Sequence, residues 1–237
     1  MKRYIEIFWC PILKNLDKHP WYEVACQEPK HLYPLLLDQR KDALYLKCPA
    51  LSENFKNTFV VKAPFDLNFS FNNKTITTDR YGQDFYDDFI LDRTHQTNQT
   101  NPILFSVNIQ YLFFSHDSVE MEIKDVPILT SETTKNIRVI PGKFNISKWL
   151  RPTDFCIEVI DSTKLVTLQV GEPIFSVTFT TQNNVPVKLT RIGNAQDLYA
   201  KARAFTSLKS IKPNMSLNEC YKTAESFIGV IKRWVIK

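Results

Sequence analysis

Hydrophobic and polar residues alternate along much of this chain with the two-residue period of β-strands. Phe65, Leu67, Phe69 and Phe71 fall on one face of a predicted strand, and the polar residues between them fall on the other. The same pattern predicts strands at 4–9, 43–47, 103–113, 119–123, 137–140, 155–160, 165–170, 174–180 and 187–190. About ten short strands without helices between them indicate an antiparallel β-sandwich or a jelly-roll-like domain.

Turn signals separate these strands. Asn72-Asn73 predicts a hairpin turn because Asn tolerates positive φ, and residues 115–118 predict a second hairpin between strands 103–113 and 119–123. Gly171-Glu172-Pro173 interrupts two apolar-alternating runs, and we expect Gly171 in a backbone conformation that other residues avoid. The polar stretch 84–101 predicts a loop, and loops on β scaffolds are common places for binding residues.

The two ends of the chain differ from its middle. Residues 1–55 are rich in aromatic residues and proline, which predicts short strands and turns packed on the core, and 56–192 form the antiparallel β domain. Residues 193–237 are predicted to be helical. Asn194 caps a helix to about Ser207, residues 216–219 match a capping box, and an apolar stripe runs from Leu217 to Val235. The stripe either packs on the sheet or mediates self-association.

The composition favours a folded protein without a phosphate-binding loop. Of the 237 residues, 43% are hydrophobic, which is enough for a sizeable core. Only 5 are glycine, and none has the spacing of a dinucleotide-binding or Walker loop. The net charge of +5 comes from 30 basic and 25 acidic residues, so the surface is mixed and nucleic-acid binding is not expected.

Cysteine usage and the N-terminal sequence bear on the compartment. The 5 cysteines are widely spaced and form no C-x-x-C pair, which favours free thiols in a reducing cytoplasm. The N-terminal apolar patch is short and interrupted by Glu6 and Pro11, unlike a secretory signal peptide. No apolar run approaches the roughly 20 residues that span a bilayer. We therefore expect a protein that is not secreted by a signal peptide and has no membrane contact.

Histidines and carboxylates give little support to catalysis. The histidines do not have the spacing of a facial triad, so we expect no metal and no other cofactor. The four histidines are His19, His31, His95 and His116. Paired carboxylates for glycoside hydrolysis could come from the polar loop, although aspartates in such loops are more often solvated turn formers. The aspartates of this loop are Asp84, Asp87, Asp88 and Asp92. No G-x-S-x-G elbow is present. We predict no catalytic residues, and these observations favour a non-enzymatic protein over an enzyme.

One constellation is a candidate binding site. Trp149 offers a flat apolar face and Arg151 a planar cation, which together suit an anionic or ring-shaped ligand. The alternative is that Trp149 fills the core and Arg151 pairs with a buried carboxylate such as Asp154 or Glu172. The candidate pocket comprises Lys62, Asp66, Trp149, Arg151 and Glu172.

Short blocks of the sequence resemble uncharacterised proteins encoded by tailed bacteriophages. The blocks are 47–50, 57–66, 146–152 and 171–175. This resemblance, over roughly 47–179, implies a phage origin and a setting in the host cytoplasm or the virion, and it supplies no catalytic residues. The turn at 171–174 is also similar to a hairpin of trimeric dUTPases, whose nucleotide-binding motifs are otherwise missing.

Two functions follow from these observations. The first is a phage-encoded, non-enzymatic interaction or assembly protein that binds a macromolecular partner, most simply another protein, or self-associates through its C-terminal helix. The alternative is a small-ligand-binding protein or an enzyme with a pocket near Trp149 and Arg151.

Overall fold

The structure, a computed structural model, describes residues 4–13, 17–40, 43–72, 75–77, 85, 88–92, 103–129, 135–148, 150–153, 155–193, 197–200, 202–203, 207, 214–216, 218–219 and 222. In this part of the chain the protein is mainly β, with several antiparallel sheets, as the alternation of hydrophobic and polar residues predicts.

Strands and short helices succeed one another as follows. The helices are α1 (Trp21–Ala25), α2 (Leu32–Gln39) and α3 (Pro49–Asn54), with 3-10 helices at Leu44–Lys47 and Gln182–Asn184. The strands are β1 (Ile5–Pro11), β2 (Lys30–His31), β3 (Thr58–Lys62), β4 (Leu67–Asn72), β5 (Thr75–Thr77), β6 (Ile90–Asp92), β7 (Ile103–Val107), β8 (Tyr111–Phe114), β9 (Val119–Lys124), β10 (Ile137–Val139), β11 (Gly142–Asn145), β12 (Phe155–Val159), β13 (Val166–Leu168), β14 (Pro173–Thr181) and β15 (Val187–Arg191).

These strands form four sheets. The largest has the order β11-β9-β14-β3-β2, and the next has the order β10-β12-β7-β6. Two three-stranded sheets have the orders β15-β1-β8 and β13-β4-β5. The β1–β15 pair is parallel, whereas the other pairs between these strands are antiparallel.

Aromatic side chains join the sheets in one core. Phe155 on β12 and Phe175 on β14 lie 4.4 Å apart, measured between ring centroids, so they connect the two largest sheets. Phe113 on β8 lies 5.6 Å from Phe179 on β14, which attaches the sheet of β1 to the same core. All four rings are buried, as the predicted alternation requires.

The N-terminal region contains helices where the sequence predicted strands and turns. The predicted strand at 43–47 is wrong, because Leu44–Lys47 is a 3-10 helix in which the Cys48 N–H bonds the Tyr45 carbonyl at 3.1 Å. The proline-rich composition predicts turns, but two of the prolines lie at helix starts. Pro34 lies in the first turn of α2 and Pro49 begins α3, where a helix has no acceptor for the missing N–H.

The predicted hairpin at 115–118 is also wrong. Phe114 on β8 pairs with Phe8 on β1, whereas Val119 on β9 pairs with Thr181 on β14, so the connection passes between two sheets. The predicted strand 103–113 is divided into β7 and β8, since its first half pairs with β12 and its second with β1. Its apolar face is buried in both halves except at Ile103, which is half-buried. The alternation identifies a buried face, but it does not specify the partner strand.

Two further predictions concern the loop 84–101 and the C-terminal segment. The loop contains strand β6, which pairs with β7, so it is not irregular throughout. The capping box is confirmed, because the Ser216 N–H donates to Glu219 Oε2 at 2.7 Å and the Glu219 N–H donates to Ser216 Oγ at 3.2 Å. Most of the apolar stripe from 217 to 235 lies outside the described residues.

Candidate functional site

The turn at Gly171 has the backbone that the sequence predicts. Gly171 has φ +83°, in the left-handed region that side chains disfavour. Its N–H donates to the Ala63 carbonyl at 2.8 Å, and the Ala63 N–H donates to the Glu172 carbonyl at 2.8 Å. The turn is therefore joined to the chain that leaves β3.

Three of the five predicted pocket residues lie around this turn. Asp66 Oδ1 accepts a hydrogen bond from the Val170 N–H at 2.7 Å, and Glu172 Oε2 accepts one from the Gln169 N–H at 2.9 Å. Lys62 lies opposite Pro173 in the β3–β14 register. Both carboxylates thus hold the backbone of the turn, which is a structural role.

Arg151 lies in another part of the molecule. Its guanidinium carbon is 5.8 Å from the ring centroid of Phe144 on β11. Phe144 pairs with Met121, which pairs with Phe179, and Phe179 lies several residues along β14 from the turn. Six residues of β14 separate Phe179 from Pro173 at the turn, which at about 3.3 Å per residue is about 20 Å. Arg151 is therefore about 20 Å from the turn. Trp149 lies outside the described residues, so ligand binding by these five residues stays a prediction.

The structure brings His19 and Asp88 together, which the sequence did not predict. Nε2 of His19 lies 3.0 Å from Oδ2 of Asp88, and both side chains are mostly buried. The main chain at Asp88 is itself fixed, because Asn108 Nδ2 donates to the Asp88 carbonyl at 3.0 Å. The two residues are 69 positions apart in the sequence, so no local pattern could have linked them.

Trp21 on α1 lies beside this pair. Its side chain is 40% exposed. Phe85 and Phe89 stack on it with ring centroids 6.4 and 5.9 Å away, and Phe65 meets it edge-on at 5.6 Å. The His19 ring lies edge-on at 6.0 Å. We call this group the Trp21 site; it comprises His19, Trp21, Phe65, Phe85, Asp88 and Phe89.

A second exposed group lies at the end of α2. Leu44 is 77% exposed and Tyr45 is 47% exposed, and Leu37 on α2 is also exposed. Arg40 joins the helix to this segment, since its guanidinium donates to the Tyr45 hydroxyl at 3.0 Å and to the Ile128 carbonyl at 2.9 Å. We call Leu37, Arg40, Leu44 and Tyr45 the α2 surface.

The remaining histidines are held by neighbours of other kinds. His31 Nε2 donates a hydrogen bond to the Lys56 carbonyl, and the His31 ring packs edge-on against Phe59 at 5.1 Å between ring centroids. His116 packs against Phe8 at 5.3 Å. His95 lies outside the described residues. Within the described ranges no group of three or more His, Cys, Asp or Glu side chains could hold a metal ion.

A buried cluster of titratable groups lies beneath α1. Burial raises the pKa of Cys26 to about 12 and the pKa of Cys10 to about 12. Burial also raises the pKa values of Tyr22 and Tyr111, whose hydroxyls donate to the Gln110 carbonyl at 3.4 Å and to the Gln27 carbonyl at 2.9 Å. At neutral pH these groups are protonated, and buried thiols of this kind are poor nucleophiles.

Comparisons with known proteins add no assignment to these sites. Among the described residues, no helix has both the length and the apolar character needed to cross a membrane. No protein-family model, curated protein or solved structure matches this chain.

Proposed function

We propose that this protein is a non-enzymatic interaction protein that binds a protein partner through the α2 surface. The observation that carries the proposal is the exposure of Leu44 and Tyr45 next to the guanidinium of Arg40. Tyrosine and arginine are enriched among the residues that dominate binding energy at protein interfaces. An apolar side chain as exposed as Leu44 gains free energy when a partner covers it.

The exposed apolar side chains beside β13 are dispersed. Leu165 and Val170 are exposed, but they lie at opposite ends of β13. Five residues of extended chain separate them by about 17 Å. Single exposed apolar residues are normal on protein surfaces, whereas neighbouring ones more often mark an interaction site. This contrast favours the α2 surface.

The proposal includes the setting and the finer architecture that the sequence predicts. The phage origin, and with it the host cytoplasm or the virion, is supported by the resemblance of the blocks between 47 and 179. A β-sandwich is supported by the contact between Phe155 and Phe175 across the two largest sheets. Self-association through the C-terminal stripe remains a second route to assembly.

Site-specific photo-crosslinking tests the protein partner. A photoreactive phenylalanine analogue replaces Tyr45 in the full chain, and a matched variant carries it at Leu165, an exposed leucine elsewhere. Irradiation in the cells that produce the protein should give a discrete adduct from position 45 and none from position 165. The same adducts from both positions, or none from position 45, would contradict the proposal.

A further inference from the structure

The Trp21 site has polar groups that no described residue satisfies. Asp88 contacts one ring nitrogen of His19, and among the described residues the other, Nδ1, has no hydrogen-bond partner. The fully buried side-chain atoms that lack a hydrogen-bond partner do not include Nδ1, so this nitrogen keeps some exposure. When the nitrogen facing the carboxylate carries the proton, the other nitrogen of a neutral imidazole is an acceptor.

Trp21 supplies a donor and a flat surface beside this acceptor. Its indole N–H has no hydrogen bond to any residue in the described part of the chain, and 40% of the side chain is exposed. Phe85 and Phe89 support the ring by stacking and Phe65 supports it edge-on, so the indole is held in place before anything binds. A surface fixed in this way loses little conformational freedom on binding.

The charge of the site favours an uncharged polar ligand. None of these six residues is Lys or Arg, so among them only a protonated His19 would offer a cation to a phosphate or a carboxylate. The carboxylate of Asp88 is already in contact with His19 at 3.0 Å. The remaining features are an electron-rich aromatic face, one donor and one acceptor.

We propose that the Trp21 site binds a saccharide ring. A pyranose has an apolar face of C–H groups that stacks on an indole, and its hydroxyls both donate and accept, so they can bond His19 Nδ1 and the Trp21 N–H together. This site shares no residue with the α2 surface, and the inference does not depend on the protein partner. One exposed ring can hold one sugar, so the dissociation constant of a monosaccharide is on the order of 1 mM.

Fluorine NMR of the full chain labelled with 5-fluorotryptophan tests this site. The chain has 4 tryptophans, and the Trp21 resonance is identified by its loss in Trp21→Phe. The probes are methyl α-glucopyranoside, methyl β-galactopyranoside and N-acetylglucosamine, with adenosine as a planar ligand that is not a saccharide. We expect at least one sugar to shift the Trp21 resonance with saturation at millimolar concentrations.

Two variants separate binding from folding. His19→Gln should weaken sugar binding about fivefold, the effect of losing one hydrogen bond, and Tyr45→Ala should leave it unchanged. Thermal melts by circular dichroism should show that both variants are folded. The inference is overturned if no sugar shifts the Trp21 resonance, if adenosine shifts it and the sugars do not, or if a folded His19→Gln binds as tightly as the parent protein.

Discussion

Single residues fix the backbone at a few positions, and Gly171 is the clearest case. No heavy atom lies within 4 Å of a Cβ built at Gly171 or at Gly142, so the Cβ of a substituted residue meets no clash at either position. The two glycines differ in backbone, because Gly171 has φ +83° and Gly142 lies in strand β11. The left-handed backbone is therefore the cost that distinguishes Gly171 from Gly142.

Gly171→Val should lower the free energy of unfolding by about 1 to 3 kcal/mol. Gly142→Val is the matched control and should change it by less than about 1 kcal/mol, since a β-branched residue suits an extended edge strand. Urea denaturation of both variants measures the difference. Equal effects would show that the left-handed backbone is not the cause.

The buried thiols make the stability of the folded protein depend on pH. The folded pKa of Cys10 and of Cys26 is raised by burial from 9.0 to about 12. In the unfolded chain these thiols ionise at lower pH, so their contribution to stability is complete below about pH 9 and is lost as the pH rises to about 12. Tyr22 and Tyr111 act in the same direction, because burial raises their pKa values as well.

Thermal melts between pH 8 and pH 11 should show this decline, and Cys26→Ala should make it shallower.

At pH 8, a thiol reagent should label the exposed Cys48 before either buried thiol, with Cys48→Ser as the control. Fast labelling of Cys10 or Cys26 in the folded protein would contradict their burial.

Elements were predictable where one face of a strand is buried. Strands at 137–140, 155–160, 174–180 and 187–190 agree with β10, β12, β14 and β15 to within a few residues, because alternation reports burial directly. Pairing was not predictable, since β8 and β9 are consecutive in sequence but belong to different sheets. The short N-terminal helices lack a long periodic pattern, so hydrophobic periodicity does not predict them.

One buried side chain connects two elements that local patterns treat as separate. Asn57 precedes β3, and its Nδ2 donates to the Val185 carbonyl at 3.0 Å. Its Oδ1 accepts from the Val187 N–H at 3.0 Å, where β15 begins. Asn57 thus positions the start of the strand that pairs in parallel with β1.

Asn57→Leu should destabilise the protein by about 1 to 3 kcal/mol, because two backbone groups lose their partner. Gln182→Ala, an exposed change in the neighbouring 3-10 helix, should have little effect. Hydrogen exchange should show that the amides of β15 lose protection in Asn57→Leu before those of β14. Equal loss in both strands would show that Asn57 stabilises the whole core rather than this junction.

The whole molecule combines a predictable core with two surface sites that the hydrophobic pattern does not reveal. The Trp21 site needs α1 and the segment around Asp88, and the α2 surface needs the contact of Arg40 with Tyr45. Neither site contains a residue of the predicted pocket. The turn at Gly171 could be predicted because its signal is local. The Trp21 site could not, because His19 and Asp88 meet only through the fold. The α2 surface was missed because alternation at 43–47 predicts a strand, whereas Leu44–Lys47 is a 3-10 helix.

The affinity of the crosslinked partner for purified variants tests the central claim most directly. Leu44→Asp places a charge in the α2 surface, and Leu165→Asp places the same charge on another exposed leucine. Leu44→Asp should raise the dissociation constant at least about tenfold, the effect of removing one dominant contact. Leu165→Asp should leave it within about twofold. A dissociation constant that Leu44→Asp does not change, or that both substitutions raise equally, would contradict the α2 surface as the binding site.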